Sequence, residues 1–371
     1  MKEKEALMAL NAVPGLSARR IRQLTDYFGS AVDVLSSGTE KIKASGLIPR
    51  PVCRLLARFD PERFLDKEYR HMEKHHVTVM ALSDPAYPVN LKEIIDAPVV
   101  LYVKGALHPQ DALSLALVGS RRSSVYGMSV AGELAGQLAE MGFAIVSGMA
   151  RGIDTASHLG ALRSRGRTIA VLGCGLAQCY PAENQALMER IADRGAVVSE
   201  FFMTAPPKAQ HFPQRNRIIS GLSLGVVVVE AARQSGALIT SRFAMEQGRE
   251  VFALPGRIHD PHAAGTHRLI QDGAKLTTGL EDILEELQPR IRSLIGATKL
   301  APAPPARATD SASASRDEED ILKCLGQEPV FIDDLVAGCR RPARRVLDTL
   351  LQMEMKHLIK RRPGMLYQRA G

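Results

Sequence analysis

The stretch that decides the fold is residues 115–172, LALVGSRRSSVYGMSVAGELAGQLAEMGFAIVSGMARGIDTASHLGALRSRGRTIAVL. Short, continuously apolar runs alternate here with helix-like stretches. The apolar runs are Leu115–Val118, Ala144–Val146 and Ile169–Leu172, and the helix-like stretches are 126–140 and 153–164. Apolar runs without polar alternation are typical of strands buried on both faces of a parallel sheet, with helices as the crossover connections. The pattern therefore predicts an α/β fold with an extended Rossmann-like parallel sheet.

The same alternation continues downstream. Further apolar runs lie at Ala196–Val198, Val226–Val229 and Val251–Leu254. Because Val226–Val229 consists of valine alone, it favours a central position in the sheet. We assign residues 81–288 to one Rossmann-like domain.

Residues 1–80 carry a different pattern, which predicts a helical module. Apolar residues recur at roughly helical spacing around a glycine-bearing turn: Leu7, Leu10, Val13, Ile21 and Leu24, around Pro14-Gly15-Leu16-Ser17. This resembles a helix-hairpin-helix, with a weaker copy at Ser45-Gly46-Leu47. DNA-binding hairpins hold a backbone phosphate on their amides and on the following helix N-terminus. Packing of the hairpins into a module that serves only protein contacts is the alternative.

Two segments follow the predicted sheet domain. Residues 289–317 contain APAPPARATDSASAS, which is rich in Ala, Pro and Ser and predicts a flexible linker. Residues 318–371 carry the winged-helix pattern of three short helices and a β-hairpin. The helices are marked by Ile321 and Leu325, by Ile332 and Leu335, and by Val346, Leu350 and Leu351, and the strands are Leu358–Lys360 and Met365–Tyr367 around Pro363-Gly364.

Composition limits the class of partner. The 371 residues include 48 Lys and Arg against 40 Asp and Glu, a net charge of +8 that modestly favours a polyanionic partner. No apolar run reaches the roughly 18 residues of a membrane span, and the opening MKEKEALMAL lacks the apolar core of a signal peptide. We therefore expect a cytoplasmic protein with no membrane partner.

The chain offers little for a metal or a cofactor. Its five cysteines are odd in number and lack ligand spacing, so we expect reduced thiols. His259, His262 and His267 also lack regular ligand spacing. No GxxxxGK[ST] motif occurs, and the turn after Leu115–Val118 is not GxGxxG, which argues against nucleoside triphosphates and classical NAD binding. We expect neither metal nor cofactor.

Glycine-bearing turns follow three successive predicted strands, at the edge of the sheet where ligands bind in open α/β folds. They are Gly119-Ser120-Arg121-Arg122-Ser123-Ser124, the turn Ser147–Asp154 that contains Gly148, and Gly173-Cys174-Gly175. Small residues let the backbone approach an anion, and Arg121 can donate two hydrogen bonds to a phosphate. The turns predict an anion-binding rim, although a turn that needs positive φ explains a glycine equally well.

The segment His211–Ile219, HFPQRNRII, offers groups that suit a nucleic acid. Arg215 and Arg217 supply charge for phosphates, Asn216 can bond a phosphate or a base edge, and Phe212 offers a stacking face. Base–aromatic stacking is worth roughly 1–3 kcal/mol per base. The alternative is a helix N-terminus packed by Phe212, with solvated arginines.

Glu230 ends the run at Val226–Val229 and allows two interpretations. A lone carboxylate at a strand end can be catalytic, but it also commonly caps a helix or orients an arginine. No Ser/His/Asp order or paired-carboxylate arrangement is present. We therefore expect no catalytic residue.

Taken together, the motifs resemble the DprA/Smf family, densely over residues 80–280 and loosely in the flanking modules. The matching stretches are Tyr87-Pro88 through Leu101-Tyr102-Val103-Lys104-Gly105, VGSRRSSVYG at 118–127, SGMARGIDTASHLGAL at 147–162, GCGLAQCYPAEN at 173–184, SEF at 199–201, FPQRNRIISGL at 212–222, VVVVEAARQSGALITSRFA at 226–244, LPG at 254–256 and GTHRLIQDGA at 265–274.

The resemblance implies a Rossmann domain between an N-terminal SAM-like or helix-hairpin-helix module and a C-terminal DML1-like winged helix. It further implies single-stranded DNA binding, a homodimer formed through the Rossmann domain, and loading of the recombinase RecA during natural transformation (competence). Matched residue by residue, the DNA site that the resemblance implies comprises Gly119, Ser120, Arg121, Gly148, Lys208, Phe212, Arg215, Asn216 and Arg217.

Two alternatives to a DNA-binding mediator remain. Phosphoribohydrolases of the LOG type share a Rossmann-like fold, but they carry a PGGxGT turn ahead of a catalytic glutamate, and the region after Glu230 here contains Ser235-Gly236-Ala237 instead. A sequence-specific regulator would act through the winged helix, where Arg344 and Arg345 lie on one short helix in a module of low net charge.

Overall fold

The structure, a computed structural model, describes residues 1–298, 311–325, 330–339, 342–355, 358–362 and 366–369. These residues form two compact units. The first comprises Met1–Ala139 and Phe143–Thr278, and the second comprises Glu140–Gly142 and the described residues from Gly279 onward. The middle of the predicted linker and the Pro363-Gly364 turn of the predicted hairpin lie outside the described residues.

The N-terminal part of the first unit is helical. Its helices are α1 (Glu3–Ala12), α2 (Ala18–Phe28), α3 (Ala31–Ser36), α4 (Thr39–Ala44), α5 (Arg50–Arg58) and α6 (Pro61–His75). The turn between α1 and α2 contains Gly15, whose φ of +81° suits a glycine. Ser17 caps α2, because its Oγ accepts a hydrogen bond from the Arg20 amide at 3.5 Å. The predicted hairpin turn therefore lies between two helices.

One mixed sheet follows. Its strands are β1 (Val77–Ala81), β2 (Val100–Gly105), β3 (Ser114–Val118), β4 (Ala144–Ser147), β5 (Thr168–Val171), β6 (Ala196–Ser199), β7 (Gly225–Val228), β8 (Glu250–Ala253) and β9 (Lys275–Leu276). Their order is β1-β2-β6-β5-β4-β3-β7-β8-β9. Neighbours from β6 to β9 pair in parallel, whereas β1 and β2 add an antiparallel edge. The predicted Rossmann-like parallel sheet is confirmed, and β1, β2 and β9 extend it.

Helices connect the strands and cover the sheet. They are α7 (Val89–Lys92), α8 (Val125–Glu140), α9 (Ile153–Arg163), α10 (Gln185–Arg194), α11 (His211–Leu222), α12 (Ala237–Glu246) and α13 (Ala264–Gln271). The direction of the chain reverses at β3, which leads to β4, β5 and β6 on one side and has β7, β8 and β9 on the other. Such a switch point opens a crevice at the carboxyl ends of the strands, where ligands of this fold bind.

Both faces of the sheet are buried, as the continuous apolar runs predict. Along β5, Ile169 and Val171 belong to one hydrophobic cluster and Ala170 belongs to the other, because successive side chains of a strand point to opposite faces. The cluster of Ala170 includes Leu10 and other residues of the N-terminal helices. The cluster of Ile169 includes Ile218 of α11. The N-terminal helices therefore share a core with one face of the sheet.

The second unit contains the winged helix, which is confirmed. The elements of the second unit are α14 (Leu280–Thr298), α15 (Ser311–Cys324), β10 (Val330–Phe331), α16 (Ile332–Cys339), α17 (Ala343–Met355), β11 (Ile359–Arg362) and β12 (Leu366–Arg369). The strands form an antiparallel sheet in the order β10-β12-β11. Ile321, Leu335, Val346 and Leu350 are buried in its core.

Helices extend into both ends of the segment 289–317 that composition predicts as a linker. Helix α14 continues to Thr298, in agreement with the helical spacing of Ile291, Leu294 and Ile295, and α15 begins at Ser311. The linker prediction rests on composition, which does not show this spacing. It therefore missed the helical residues 289–298. The domain boundaries themselves stay a prediction.

No helix among the described residues is both long and apolar enough to span a membrane. In the same part of the chain, no three His, Cys, Asp or Glu side chains group as a metal site. His262 instead lies with its Nδ1 at 3.0 Å from Asp260, and His267 Nε2 lies 3.0 Å from the Gly256 carbonyl oxygen.

Candidate functional site

The turn after β3 is packed too closely to admit a side chain at Gly119. The Ser120 amide donates to the Glu230 carbonyl at 2.8 Å, and the Ser120 carbonyl accepts from the Ile153 amide at 3.4 Å. A Cβ atom at Gly119 would lie 2.5 Å from Ile153 Cγ1 and 2.9 Å from the Glu230 carbonyl oxygen. The turns after β3 and β7 and the start of α9 therefore pack tightly together at one edge. Arg121, which follows Ser120, is exposed at this edge.

Glu230 caps the start of α8. Its carboxylate accepts a hydrogen bond from the Ser124 amide at 2.9 Å and another from the Ser124 hydroxyl. A Cβ atom at Gly127 would lie 2.3 Å from Glu230 Cδ, so the glycine makes room for the carboxyl group. Of the two interpretations of Glu230, the structure supports the helix cap, because the buried carboxylate is already engaged by the backbone.

Arg121, Phe212 and Tyr180 form a cluster at the carboxyl edge of the sheet, which we call the Phe212 cluster. The guanidinium carbon of Arg121 lies 5.1 Å from the centroid of the Phe212 ring, within cation–π range. The Tyr180 ring lies 5.4 Å from the Phe212 ring at a tilted angle and is 43% exposed. The cluster thus presents a cation and aromatic faces at the point where the fold binds ligands.

Sequence reasoning missed Tyr180. The residue follows β5 in the stretch GCGLAQCYPAEN, which was noted for its glycines. The available signal was an aromatic residue in the loop after a parallel strand, because all such loops meet at one edge of the sheet. The contact of Tyr180 with Phe212 cannot be predicted from the sequence, because it depends on where α11 begins.

Arg215 lies beneath the Phe212 ring and is 4% exposed. Its Nη1 donates to the carbonyl oxygens of Gly148 and Val171, so one guanidinium joins the ends of β4 and β5 to α11. Burial lowers the pKa of Arg215 to about 10. Burial also raises the pKa of Asp154, an effect that the Arg215 charge opposes. The guanidinium therefore faces the backbone of the site in this structure.

Arg217 and Asn216 point away from the Phe212 cluster. Arg217 is 8% exposed; its Nη2 pairs with the buried Glu200, and its Nε lies 3.2 Å from Asp96 Oδ2. Burial raises the pKa of Glu200, and the charge of Arg217 opposes this. Asn216 Nδ2 donates to the Gly236 carbonyl at 3.3 Å. Both side chains are thus engaged within the protein.

Lys208 is exposed just ahead of α11, where its carbonyl accepts the His211 amide at 2.9 Å. His211 stacks on Phe201 with ring centroids 4.1 Å apart. The structure brings together six of the predicted site residues: Gly119, Ser120, Arg121, Gly148, Phe212 and Arg215. Lys208 lies just ahead of α11, the helix that carries Phe212 and Arg215. The structure directs Asn216 and Arg217 elsewhere.

This arrangement suits a flexible polyanion that carries aromatic groups. Arg121 and Lys208 present exposed charge, and Phe212 and Tyr180 present ring faces. Backbone charge gives sequence-independent affinity for single-stranded nucleic acids, and stacking adds to it because every base has a π-face.

Two family models match the chain. The model described as DNA recombination-mediator protein A matches residues 78–288. The model described as DprA winged helix domain matches residues 301–365. The two matches cover the sheet and most of the winged-helix unit.

Curated relatives and a solved structure are similar over most of the chain. Protein Smf of Escherichia coli is 39% identical over 331 residues, which cover 87% of this chain and 85% of the relative. DNA processing protein DprA of Streptococcus pneumoniae is 41% identical over 276 residues, which cover 74% of this chain and 95% of the relative. The X-ray structure of DprA from Streptococcus pneumoniae superimposes with a TM-score of 0.61 and 37% identity, covering 77% of this chain and 99% of that one.

Proposed function

The chain belongs to the DNA recombination-mediator protein A family, and we propose that it binds single-stranded DNA at the Phe212 cluster and delivers that strand to a RecA recombinase. The observation that carries the proposal is the contact of Arg121 with Phe212, 5.1 Å apart at the carboxyl edge of the sheet. In the proposal, Arg121 binds a phosphate and a base stacks on the neighbouring Phe212 ring.

The residues of the site divide into direct contacts and positioning residues. Arg121, Phe212 and Lys208 contact the strand, since their side chains are exposed or half-buried at the edge. The Gly119 and Ser120 backbone approaches the phosphates beside Arg121. Arg215 acts through others: by joining the Gly148 and Val171 carbonyls to α11, it holds Phe212 in place. Arg217 and Asn216 fix the other side of α11.

Recognition of this kind discriminates single strands from duplexes rather than one sequence from another. A duplex keeps its bases stacked on each other, so Phe212 gains a base only from a single strand. The charges at the edge bind either form. The preference for single strands therefore comes from the aromatic faces, and the affinity of both forms falls with salt.

The wider role is the part of the proposal that rests on family membership. We place the protein in the cytoplasm as a homodimer that protects incoming DNA and loads RecA during natural transformation, with no catalytic step of its own. The family description, DNA recombination-mediator protein A, and the name of the Streptococcus pneumoniae relative, DNA processing protein DprA, support a role in DNA processing. The helix-capping hydrogen bonds of Glu230 weigh against the hydrolase alternative.

The test is binding of purified full-length protein to a fluorescent oligo-dT and to its matched duplex across a salt titration, without nucleotide. Tight, salt-sensitive preference for the single strand is expected, and RecA filament formation on that strand is then measured. Arg190→Ala, an exposed arginine on α10, serves as the matched control for Arg121→Ala. Failure of the wild-type protein to bind single strands at low salt would sink the proposal, and release of a free base from a nucleoside monophosphate would favour the hydrolase.

A further inference from the structure

An exposed ion pair joins the two loops next to the Phe212 cluster. Nε of Arg151 donates a hydrogen bond to the Glu183 carboxylate. Arg151 lies in the turn after β4, and Glu183 lies in the loop after β5, so both are at the carboxyl edge of the sheet. Their side chains are 67% and 50% exposed. Neither residue belongs to the predicted DNA site.

A buried side chain already holds these two loops together. Asn184, the neighbour of Glu183, is 8% exposed, and its Nδ2 donates to the Met149 carbonyl and to the Thr155 hydroxyl, both at 2.9 Å. Met149 precedes Arg151 by two residues and is buried. The ion pair therefore has a fixed place in the fold but is not needed to keep the loops in contact. Its two side chains can change partners at the surface.

The pair lies beside the aromatic part of the Phe212 cluster. Tyr180 precedes Glu183 by three residues, and its ring lies 5.4 Å from the Phe212 ring. The hydrogen bond to Glu183 raises the pKa of Arg151, and the Tyr180 phenol adds to this effect, which places the arginine near that hydroxyl. Arg151 is therefore an exposed cation next to the proposed base-stacking rings.

The Glu183 carboxylate is an exchangeable partner for this cation. Exposed ion pairs contribute little to stability, because water screens the charges and two long side chains lose freedom when they pair. A phosphate carries the same sign of charge as the carboxylate and accepts two hydrogen bonds from one arginine. Exchange of Glu183 for a phosphate therefore keeps the Arg151 charge paired and breaks no buried contact.

Glu183 also opposes the approach of DNA. The hydrogen bond from Arg151 lowers the pKa of the Glu183 carboxyl, so the group is ionised at neutral pH. While the pair is closed, the Arg151 charge is neutralised and attracts a phosphate only weakly. Once a phosphate has replaced the carboxylate, the two negative groups lie close together and repel each other. Both effects reduce the affinity of this edge for a polyanion.

We propose that Arg151 is a further phosphate-binding residue of the single-strand site and that Glu183 occupies it until a phosphate of the strand displaces the carboxylate. The inference rests on the proposed function and deepens it. Arg121 faces the strand beside Phe212, whereas Arg151 becomes available only by exchange. The site thus contains its own competitor, and removal of that competitor makes binding tighter.

Glu183→Gln tests the competition on full-length protein with a fluorescent oligo-dT. The amide keeps the size of the side chain and removes its charge, so affinity at low salt should rise about 2- to 10-fold. The matched control is Asp272→Asn, because Asp272 Oδ2 lies 3.0 Å from Nε of Arg268 in a similarly exposed pair. Asp272 precedes β9, which is parallel to β8, and therefore lies towards the amino edge of the sheet, away from the site. The control should leave the affinity unchanged.

Arg151→Ala in the Glu183→Gln background tests the phosphate contact. This background avoids the repulsion that an unpaired Glu183 carboxylate would exert on the strand. We expect affinity at low salt to fall about tenfold relative to Glu183→Gln alone. The slope of log K against log salt should become shallower by about 0.7, the value for one phosphate on a single strand. Arg268→Ala in the Asp272→Asn background is the control and should change neither quantity.

Tighter binding by Glu183→Gln, together with the loss in the double variant, supports the exchange. Wild-type affinity of Glu183→Gln, or an equal gain with Asp272→Asn, would overturn the competition. An Arg151→Ala substitution without effect in the Glu183→Gln background would remove Arg151 from the interface. In either case, binding of oligo-dT by the wild-type protein would leave the proposed function intact. Failure of the wild-type protein to bind any single strand would overturn both.

Discussion

A Cβ atom at Gly148 would lie 2.2 Å from Nη1 of Arg215. The glycine therefore leaves the space that the buried guanidinium fills, and its carbonyl accepts one of the guanidinium hydrogen bonds. The contact joins the turn after β4 to α11 and places Phe212, one helical turn before Arg215, at the edge of the sheet. The position of the stacking face thus depends on a buried, charge-assisted hydrogen bond.

The first prediction concerns this contact. Arg215→Ala removes the donor to the Gly148 and Val171 carbonyls and a positive charge that acts on the buried Asp154, so buried polar groups lose a favourable interaction. We expect the free energy of unfolding to fall by about 3–5 kcal/mol, measured by urea denaturation. Arg121→Ala, on the exposed side of the same ring, should change it by less than about 0.5 kcal/mol. Equal stability of the two variants would contradict the positioning role.

The second prediction separates charge from stacking. Arg121→Ala removes one phosphate contact, so affinity for oligo-dT should fall about tenfold at low salt. The slope of log K against log salt should become shallower by about 0.7, the value for one phosphate on a single strand. Fluorescence anisotropy across a salt series measures both. An unchanged slope with unchanged affinity would remove Arg121 from the interface.

Phe212→Ala gives the third prediction. Loss of the ring should weaken single-strand binding by about 1–3 kcal/mol while the salt slope stays at its wild-type value, because no charge is removed. Phe212→Tyr keeps a ring and should retain most of the affinity. A Phe212→Ala variant that binds oligo-dT as the wild type does would place the bases elsewhere.

The fourth prediction concerns pH and the buried His158. Burial lowers the pKa of His158 to about 3, and its Nδ1 lies 2.7 Å from Thr168 Oγ1. The folded protein therefore holds the imidazole neutral, whereas the unfolded chain protonates it below its ordinary pKa of 6.5. The stability that His158 contributes is present above that value and is lost as the pH falls from it towards 3.

The substitution His158→Asn tests whether His158 causes this loss of stability at low pH. An asparagine amide can still donate to Thr168 Oγ1 but does not titrate. Between about pH 4.5 and 6, the unfolding free energy of the variant should depend on pH less steeply than that of the wild type, by up to about 1.4 kcal/mol per pH unit. Parallel curves for the two proteins would show that His158 does not carry this dependence.

Much of this protein is determined by the sequence itself. Continuous apolar runs such as Leu115–Val118, in alternation with helix-like stretches, indicate strands buried on both faces of a sheet, and the turns that follow indicate the edge where ligands bind. The glycines at 119 and 148 also signal close approach of the backbone. What each glycine approaches, Ile153 in one case and Arg215 in the other, is a tertiary contact.

The tertiary structure alone decided what the charged residues of α11 do. Arg215 and Arg217 look equivalent in the sequence HFPQRNRII, but two residues along a helix correspond to about 200° of rotation, so their side chains leave on opposite sides. Arg215 packs under Phe212 against the ends of β4 and β5, and Arg217 pairs with Glu200 and Asp96 on the other side of the helix. Spacing fixes the angle between two side chains, whereas the surroundings of each depend on segments distant in the chain that only folding brings together.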